Sequence, residues 1–184
     1  MQRQAGHVGF CLDSAVMATF GDAVAAAPEL AARKRATLSS AQNAVLGTLR
    51  RDGAPRLSGI DCFFGGGQLC IASNPGTLKG KDLRRDPRMS VHSIPWDSRL
   101  LRDGVDDPGP GDAKVSGTAS LVGPDGIEAV RASLAGEGLR QPPASFELFT
   151  VDISSIAVMY PEDGRLVIDQ WSPSGGVQRR VAGT

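Results

Sequence analysis

The densest run of polar chemistry in the chain is Ser73-Asn74-Pro75-Gly76-Thr77-Leu78-Lys79-Gly80-Lys81, followed by Asp82-Leu83-Arg84-Arg85-Asp86-Pro87-Arg88. Pro75-Gly76 breaks whatever precedes it, Thr77 is placed to cap a short helix over 77–85, and Asp86-Pro87 ends that helix. The segment therefore brings two hydroxyls, a helix N-terminus and two lysines into one neighbourhood. Free N–H groups at a helix start favour negative charge, hydroxyls donate to phosphate oxygens, and ammonium groups add point charge. That combination suits a phosphate. A plain surface helix, with Lys79, Lys81, Arg84 and Arg85 solvated or paired with Asp82 and Asp86, satisfies the same spacing. Spacing alone leaves both readings open.

Other chemistry is sparse. His7 and His92 are the only histidines, and the odd set Cys11, Cys62 and Cys70 lacks metal-ligand spacing, so reduced thiols and no metal site are expected. Cys62 and Cys70 read as small buried hydrophobes, although a hairpin can set them opposite each other. His92 reads as a core or groove-wall residue, and Tyr160, the single tyrosine, as a strand residue with its hydroxyl at the rim. Trp171 is either a ring-stacking residue or the anchor of the last strand. Basic and acidic residues balance at 20 each, so no overall field draws nucleic acid or anionic lipid. No apolar run approaches the roughly 20 residues of a membrane span. The apolar stretch near residues 15–20 is interrupted by Asp13 and Asp22, unlike a signal peptide, and a cytoplasmic location is expected.

The elements that must position the 73–88 segment follow from periodicity and turn residues. Pro28 starts a helix over 27–40. Short strand-like runs at 44–50, 56–64 and 69–73, separated by Arg51-Asp52-Gly53 and Gly65-Gly66-Gly67, predict a three-stranded meander. A strand follows at 89–94, then a long loop over 95–111, an alternating strand over 113–122 and a helix over 124–136. Strands at 146–153, 156–160 and 166–171 complete the pattern. The expected organisation is a partly flexible N-terminal extension over 1–26 and a single domain over 27–184. The fold class is mainly β (α+β): a small antiparallel split β-barrel with a few flanking helices. Such a barrel fills its interior with side chains, which sends ligands to outer grooves or to an interface between subunits.

The meander beginning near Asn43, with Gly53-Ala54-Pro55 in its first turn, a third strand ending in a hydroxyl residue, and a hydroxyl and lysine before a helix closed by Asp-Pro, resembles the pyridoxamine 5'-phosphate oxidase family of flavin-binding split barrels. The resemblance is most specific over 43–95. It implies that Ser73, Asn74, Thr77 and Lys79 hold the phosphate of FMN. Leu78 stands where the family carries an arginine and cannot make a bidentate phosphate contact. Lys81 falls where many relatives using the deazaflavin coenzyme F-420 carry a second basic residue. Arg56 lies near the family's second-strand arginine, and Ser58 alternates onto the same face toward the cofactor ring. The usage of 16 arginines against 4 lysines is associated with GC-rich genomes, where deazaflavins are at home. Arg84, Arg85 and Arg88 either receive the acidic tail of that coenzyme or only solubilise the helix.

The resemblance thus implies an oxidoreductase acting on a small organic molecule with FMN or F-420. Its working form would be a homodimer whose interface draws on Phe63 and Phe64 or on the strand at 146–151. The alternatives are a cofactor-free small-ligand-binding protein on the same barrel, or a haem-binding relative.

Overall fold

Glycines in the left-handed region set the first hairpins. β1 (Ala44–Leu49) turns into β2 (Pro55–Gly65) through Gly53 at φ 82°, and β2 turns into β3 (Gln68–Ser73) through Gly66 and Gly67 at φ 57° and 72°. The computed structural model describes residues 16–39, 43–94 and 111–182. Its remaining strands are β4 (Arg88–His92), β5 (Asp112–Leu121), β6 (Glu147–Glu162), β7 (Arg165–Ser172) and β8 (Gly176–Ala182). They form one antiparallel sheet in the order β3-β2-β1-β4-β5-β6-β7-β8, and β6 also pairs with β3. That pairing, from Leu69↔Val151 to Ser73↔Glu147, closes six strands into a barrel. β7 and β8 extend the sheet beyond it. The expected mainly-β split barrel with flanking helices is therefore the observed fold.

Three elements differ from the sequence expectation. The strands expected at 146–153 and 156–160 are one strand, β6, of 16 residues. The polar Asp152-Ile153-Ser154-Ser155 run reads as a break and is a bulge within β6: Gly117 pairs with Ile153 and Ser116 with Ser155, so Ser154 is the extra residue. A Cβ on Gly117 would lie 2.0 Å from the Asp152 carbonyl oxygen, so only glycine fits there. β8 was hidden in a polar, arginine-bearing tail; it pairs with β7 from Ser172↔Gly176 to Leu166↔Ala182, and Arg179 pairs with Glu162. Finally, within the stretch expected as a partly flexible extension, residues 16–26 are packed against the barrel. Ala18 exchanges both backbone hydrogen bonds with Ile153, and α1 (Phe20–Ala26) starts with a reciprocal Thr19–Asp22 capping box. The loop expected at 95–111 lies, up to residue 110, outside the described residues.

Apolar residues separate into two groups. The barrel interior, including Leu46, Ile71, Val91, Val115 and Phe149, is continuous with the buried faces of α1 and α2 (Pro28–Ser39). A smaller cluster of Phe63, Cys70, Ala72, Leu134 and Leu148 lies under α4 (Pro124–Gly136). Phe63, Phe64, Leu148, Phe149 and Val151 are consequently buried within one chain, and these apolar faces are not free for the interface expected of them. Phe146 is half-buried. Cys62 pairs with Ile71 and Cys70 with Phe63, so the two thiols are not opposite each other. Both are free, and burial pushes Cys62 up to about 12 and Cys70 up to about 11.

Each end of the barrel is closed around a charge. At one end α1 and α2 contact β2, β3, β5 and β6. There Lys34 is 0% exposed, with its ammonium 4.3 Å from the Phe20 ring centroid and 4.6 Å from that of Phe64. Its Nζ has no hydrogen-bond partner. At the other end α3 (Leu78–Arg85) contacts β1 and β5 and buries Asp82. The Asp82 carboxylate accepts from Arg56 Nε at 2.6 Å, Thr48 Oγ1 at 3.1 Å and Arg85 at 3.2 Å. That is a satisfied buried anion.

Two stability measurements test these closures. Burial lowers the Lys34 ammonium to about 7, countered in part by Cys62. The unfolded chain binds that proton up to about pH 10.4, so stability rises with pH between those limits by roughly 1.4 kcal/mol per unit. Lys34→Met is expected to raise the melting temperature at pH 7 and to flatten that slope in denaturant titrations across pH 7–10. Burial works against ionisation of Asp82, but hydrogen bonds from Arg56, Thr48 and Arg85 outweigh it and hold the carboxyl below its ordinary range. Its contribution is complete above about pH 4 and is lost as the pH falls through the lowered folded value. Asp82→Ala is expected to cost roughly 2–4 kcal/mol at pH 7 in urea unfolding. A melting temperature unchanged by that substitution would contradict the closure role.

Candidate functional site

β3 delivers Ser73 to the α3 end of the barrel, and the turn through Gly76, at φ 75°, places Thr77 as the N-cap of α3. The Ser73 and Thr77 hydroxyl oxygens are 2.8 Å apart, and Thr77 Oγ1 accepts from the Gly80 amide at 3.3 Å. The Leu78 and Lys79 amides precede that capped position and have no carbonyl of their own helix to reach. Lys79 lies back across β2, its ammonium donating to the Gly59 carbonyl at 2.5 Å. Burial lowers the Lys79 pKa while the nearby Asp61 carboxylate raises it.

These groups open onto a cleft of about 190 Å³ whose polar lining comes from Asn43, Asp61, Ser73, Asn74 and Lys79. The structure thus brings together four of the sequence-derived site residues: Ser73, Asn74, Thr77 and Lys79. A short helix cap, a strand end and a neighbouring strand converge there because β3 and α3 are consecutive and β2 pairs with β3. Chemically, the cluster offers two hydroxyls, a cation and a helix start to an anionic group.

Arg56 and Ser58 are placed differently from the expectation. Thr48↔Arg56 and Leu46↔Ser58 are register partners, so both side chains share the face of buried Thr48 and Leu46. Neither lines the cleft, and Arg56 commits Nε to Asp82. Lys81 is exposed one helical turn beyond Leu78, which is itself 59% exposed. Arg84 pairs with Glu147 at 2.5 Å, Arg85 with Asp82 and Arg88 with Asp86 at 2.6 Å. The three arginines offered as a landing surface therefore each have a carboxylate partner.

Sequence reasoning passed over Asp61, Asn43 and Glu147. Asp61 is a lone acid in the apolar run of β2, which is the signal that marks it. Glu147 pairs in register with Ser73; its Oε1 meets Arg84, while its buried Oε2 has no donor and would lie 3.0 Å from a Cβ on Gly80. Nothing in the sequence pointed to that contact. His92 Nδ1 lies 2.6 Å from the Ser93 carbonyl oxygen, Tyr160 donates to Asp169 at 2.6 Å, and buried Trp171 pairs with Ile156 as a strand anchor. None of the three lines the cleft. Among the described residues no cluster of His, Cys, Asp and Glu is placed to hold a metal.

Comparison with known proteins bears on the fold and the family. PhzG from Burkholderia lata, solved in complex with tetrahydrophenazine-1-carboxylic acid, is 14% identical with a TM-score of 0.51, over 84% of this chain and 88% of that one. Atu2129 from Agrobacterium tumefaciens, of unknown function, is 18% identical with a TM-score of 0.51, over 85% of this chain and 63% of its own length. A heme binding protein from Mycobacterium smegmatis is 19% identical with a TM-score of 0.49, over 81% of this chain and 56% of that chain. At these identities the likeness shows the fold alone. No curated protein matches the chain. The family model for pyridoxamine 5'-phosphate oxidase matches residues 30–159, which span β1 to most of β6 and contain every residue of the cleft. With 130 of 184 residues inside that match, the chain belongs to the pyridoxamine 5'-phosphate oxidase family.

Proposed function

We propose that the chain is an oxidoreductase that binds FMN or the deazaflavin coenzyme F-420 by its phosphate and acts on a small organic molecule in the cytoplasm. The observation that carries this reading is the meeting of Ser73 and Lys79 in one cleft at the start of α3, with the Thr77 hydroxyl 2.8 Å from that of Ser73. The donor set fits a phosphate: two hydroxyls 2.8 Å apart, helix-start amides and an ammonium. Ser73 and Thr77 would donate to phosphate oxygens, and Lys79 would supply the countercharge now resting on a backbone carbonyl. The ring of such a cofactor, when bound, carries the hydride, so the family needs no nucleophile or carboxylate pair from the chain. Asp61, facing the same cleft, is suited to accept from a hydroxyl or N–H next to the phosphate.

A homodimer belongs to the same reading, since a filled barrel leaves a planar ring only an outer groove to share between subunits. Among the described residues Leu57, 75% exposed on β2, is the large apolar side chain most open to such contact. A cofactor-free small-ligand-binding protein is the second reading. It is favoured by Leu78 in place of a guanidinium and by the carboxylate partners of Arg84, Arg85 and Arg88.

Titration of the purified protein with FMN and F-420, followed by absorbance and fluorescence, decides between them. Saturable binding of one of the two is expected, and binding of neither would remove the oxidoreductase reading. Lys79→Ala is expected to weaken that binding by about tenfold to over a hundredfold, the worth of a charge-assisted contact, whereas Lys114→Ala leaves it unchanged. Leu78→Arg is expected to tighten FMN binding; an unchanged constant would mean that position 78 does not face the phosphate.

A further inference from the structure

A second cleft lies at the opposite end of the barrel, between α2, the end of β2 and the segment that follows α4. It has a volume of about 220 Å³ and a mostly apolar wall that includes Cys62, Phe63, Phe64 and Leu134. Two guanidiniums, Arg35 and Arg140, stand at it. Each faces an acid at 3.7 Å, Glu137 and Asp61 respectively, which is beyond hydrogen-bonding distance. Glu137 Oε2 is the oxygen that faces Arg35, while its Oε1 accepts from the Gly66 amide at 3.1 Å and from Ser133 Oγ at 3.3 Å. Arg140 lies over the Phe63 ring at 4.7 Å, and Arg35 makes one long bond, 3.4 Å, to the Phe64 carbonyl. Each arginine is thus in a loose ion pair through one nitrogen, and its remaining N–H groups stand beside an apolar wall. A third cation, buried Lys34, lies 4.6 Å from the ring centroid of Phe64 and adds positive potential under the floor.

We propose that this cleft is a binding site for a small aromatic monocarboxylate, its ring against Phe63, Phe64 and Leu134 and its carboxylate on Arg35 and Arg140. The volume is below the roughly 300 Å³ at which drug-sized pockets begin, which limits the ligand to one or two rings. A planar guanidinium matches a carboxylate with two parallel donors and stacks on an aromatic face, so an aromatic acid engages both properties of Arg140. A cation would meet Arg35, Arg140 and Lys34, and a neutral ring would leave the guanidinium donors unused. No residue lines both clefts, although Arg140 of this one faces Asp61 of the other at 3.7 Å, so Arg35 and Lys79 are the residues whose variants separate the two readings.

The probe is 1-naphthoate, titrated into the full chain and followed by its fluorescence, with 1-naphthamide as its uncharged counterpart. Saturable binding with one site per chain and a Kd below about 1 mM is expected, and the amide should bind at least tenfold more weakly. Arg35→Gln and Arg140→Gln should each weaken naphthoate about tenfold without changing the melting temperature, because both side chains are about half exposed. Ser39→Trp, on the exposed last residue of α2, should fill the cleft and abolish binding. Lys79→Ala should have no effect. Absence of saturable binding, equal affinity for acid and amide, or loss of binding in Lys79→Ala with the arginine variants unaffected would each overturn the proposal. The acid–amide comparison uses the unaltered protein, so the test stands even where a variant fails to fold.

Discussion

The pairing of β3 with β6 is the constraint from which the rest follows. Once Ser73 is matched to Glu147 and Leu69 to Val151, the sheet has no edge on that side and its interior is a filled core. Ligand space is then confined to the outside of the wall and to its rims. The rims in turn need lids, and each lid carries an ionisable group into low-dielectric surroundings. The two solutions differ in kind. Asp82 is surrounded by donors from three elements, whereas Lys34 has only aromatic faces around its ammonium.

The α3 lid performs two tasks with adjacent residues. Leu83 and Asp82 face inward and join it to the core and to β1 and β2, while Lys79 lines the cleft and Thr77 meets the Ser73 hydroxyl beside it. The helix has eight residues, and the residues directed to the cleft sit at its start, three to six positions before the inward-facing Asp82 and Leu83. The position of the phosphate-suited groups is consequently tied to the closure of the barrel end. Gly80 belongs to the same economy of space, since a side chain there would run into Glu147.

The meander, the α3 cap and α4 were legible in the sequence because each is written in local residues. Glycines at positive φ fix the hairpins, Thr77 caps α3, and Pro124 opens α4. The cluster of Ser73, Asn74, Thr77 and Lys79 was legible for the same reason: strand end, turn and helix start are contiguous. What was not legible depends on partners distant in sequence. Polar Asp152 to Ser155 continue β6 only because β5 pairs on both sides of the extra residue Ser154, and β8 is a strand only because β7 offers it an edge. Alternation put Arg56 and Ser58 on one face, but that face is the one of buried Thr48 and Leu46, and the Asp82 partner that holds Arg56 there is 26 residues away. The α1 segment is ordered by contacts with Ile153 and Gly67, which no window around residue 20 contains.

The register of the β2–β3 hairpin has one more consequence, for its thiols. Cys62 points with the barrel interior and Cys70 with the cluster under α4, so the sheet itself separates the two sulfurs. No rotamer brings them to the geometry of a covalent bridge without slipping the strands by a residue, and such a slip would turn every apolar side chain of the hairpin to the wrong face. Oxidising and reducing surroundings therefore leave this pair in the same chemical state for as long as the barrel remains closed.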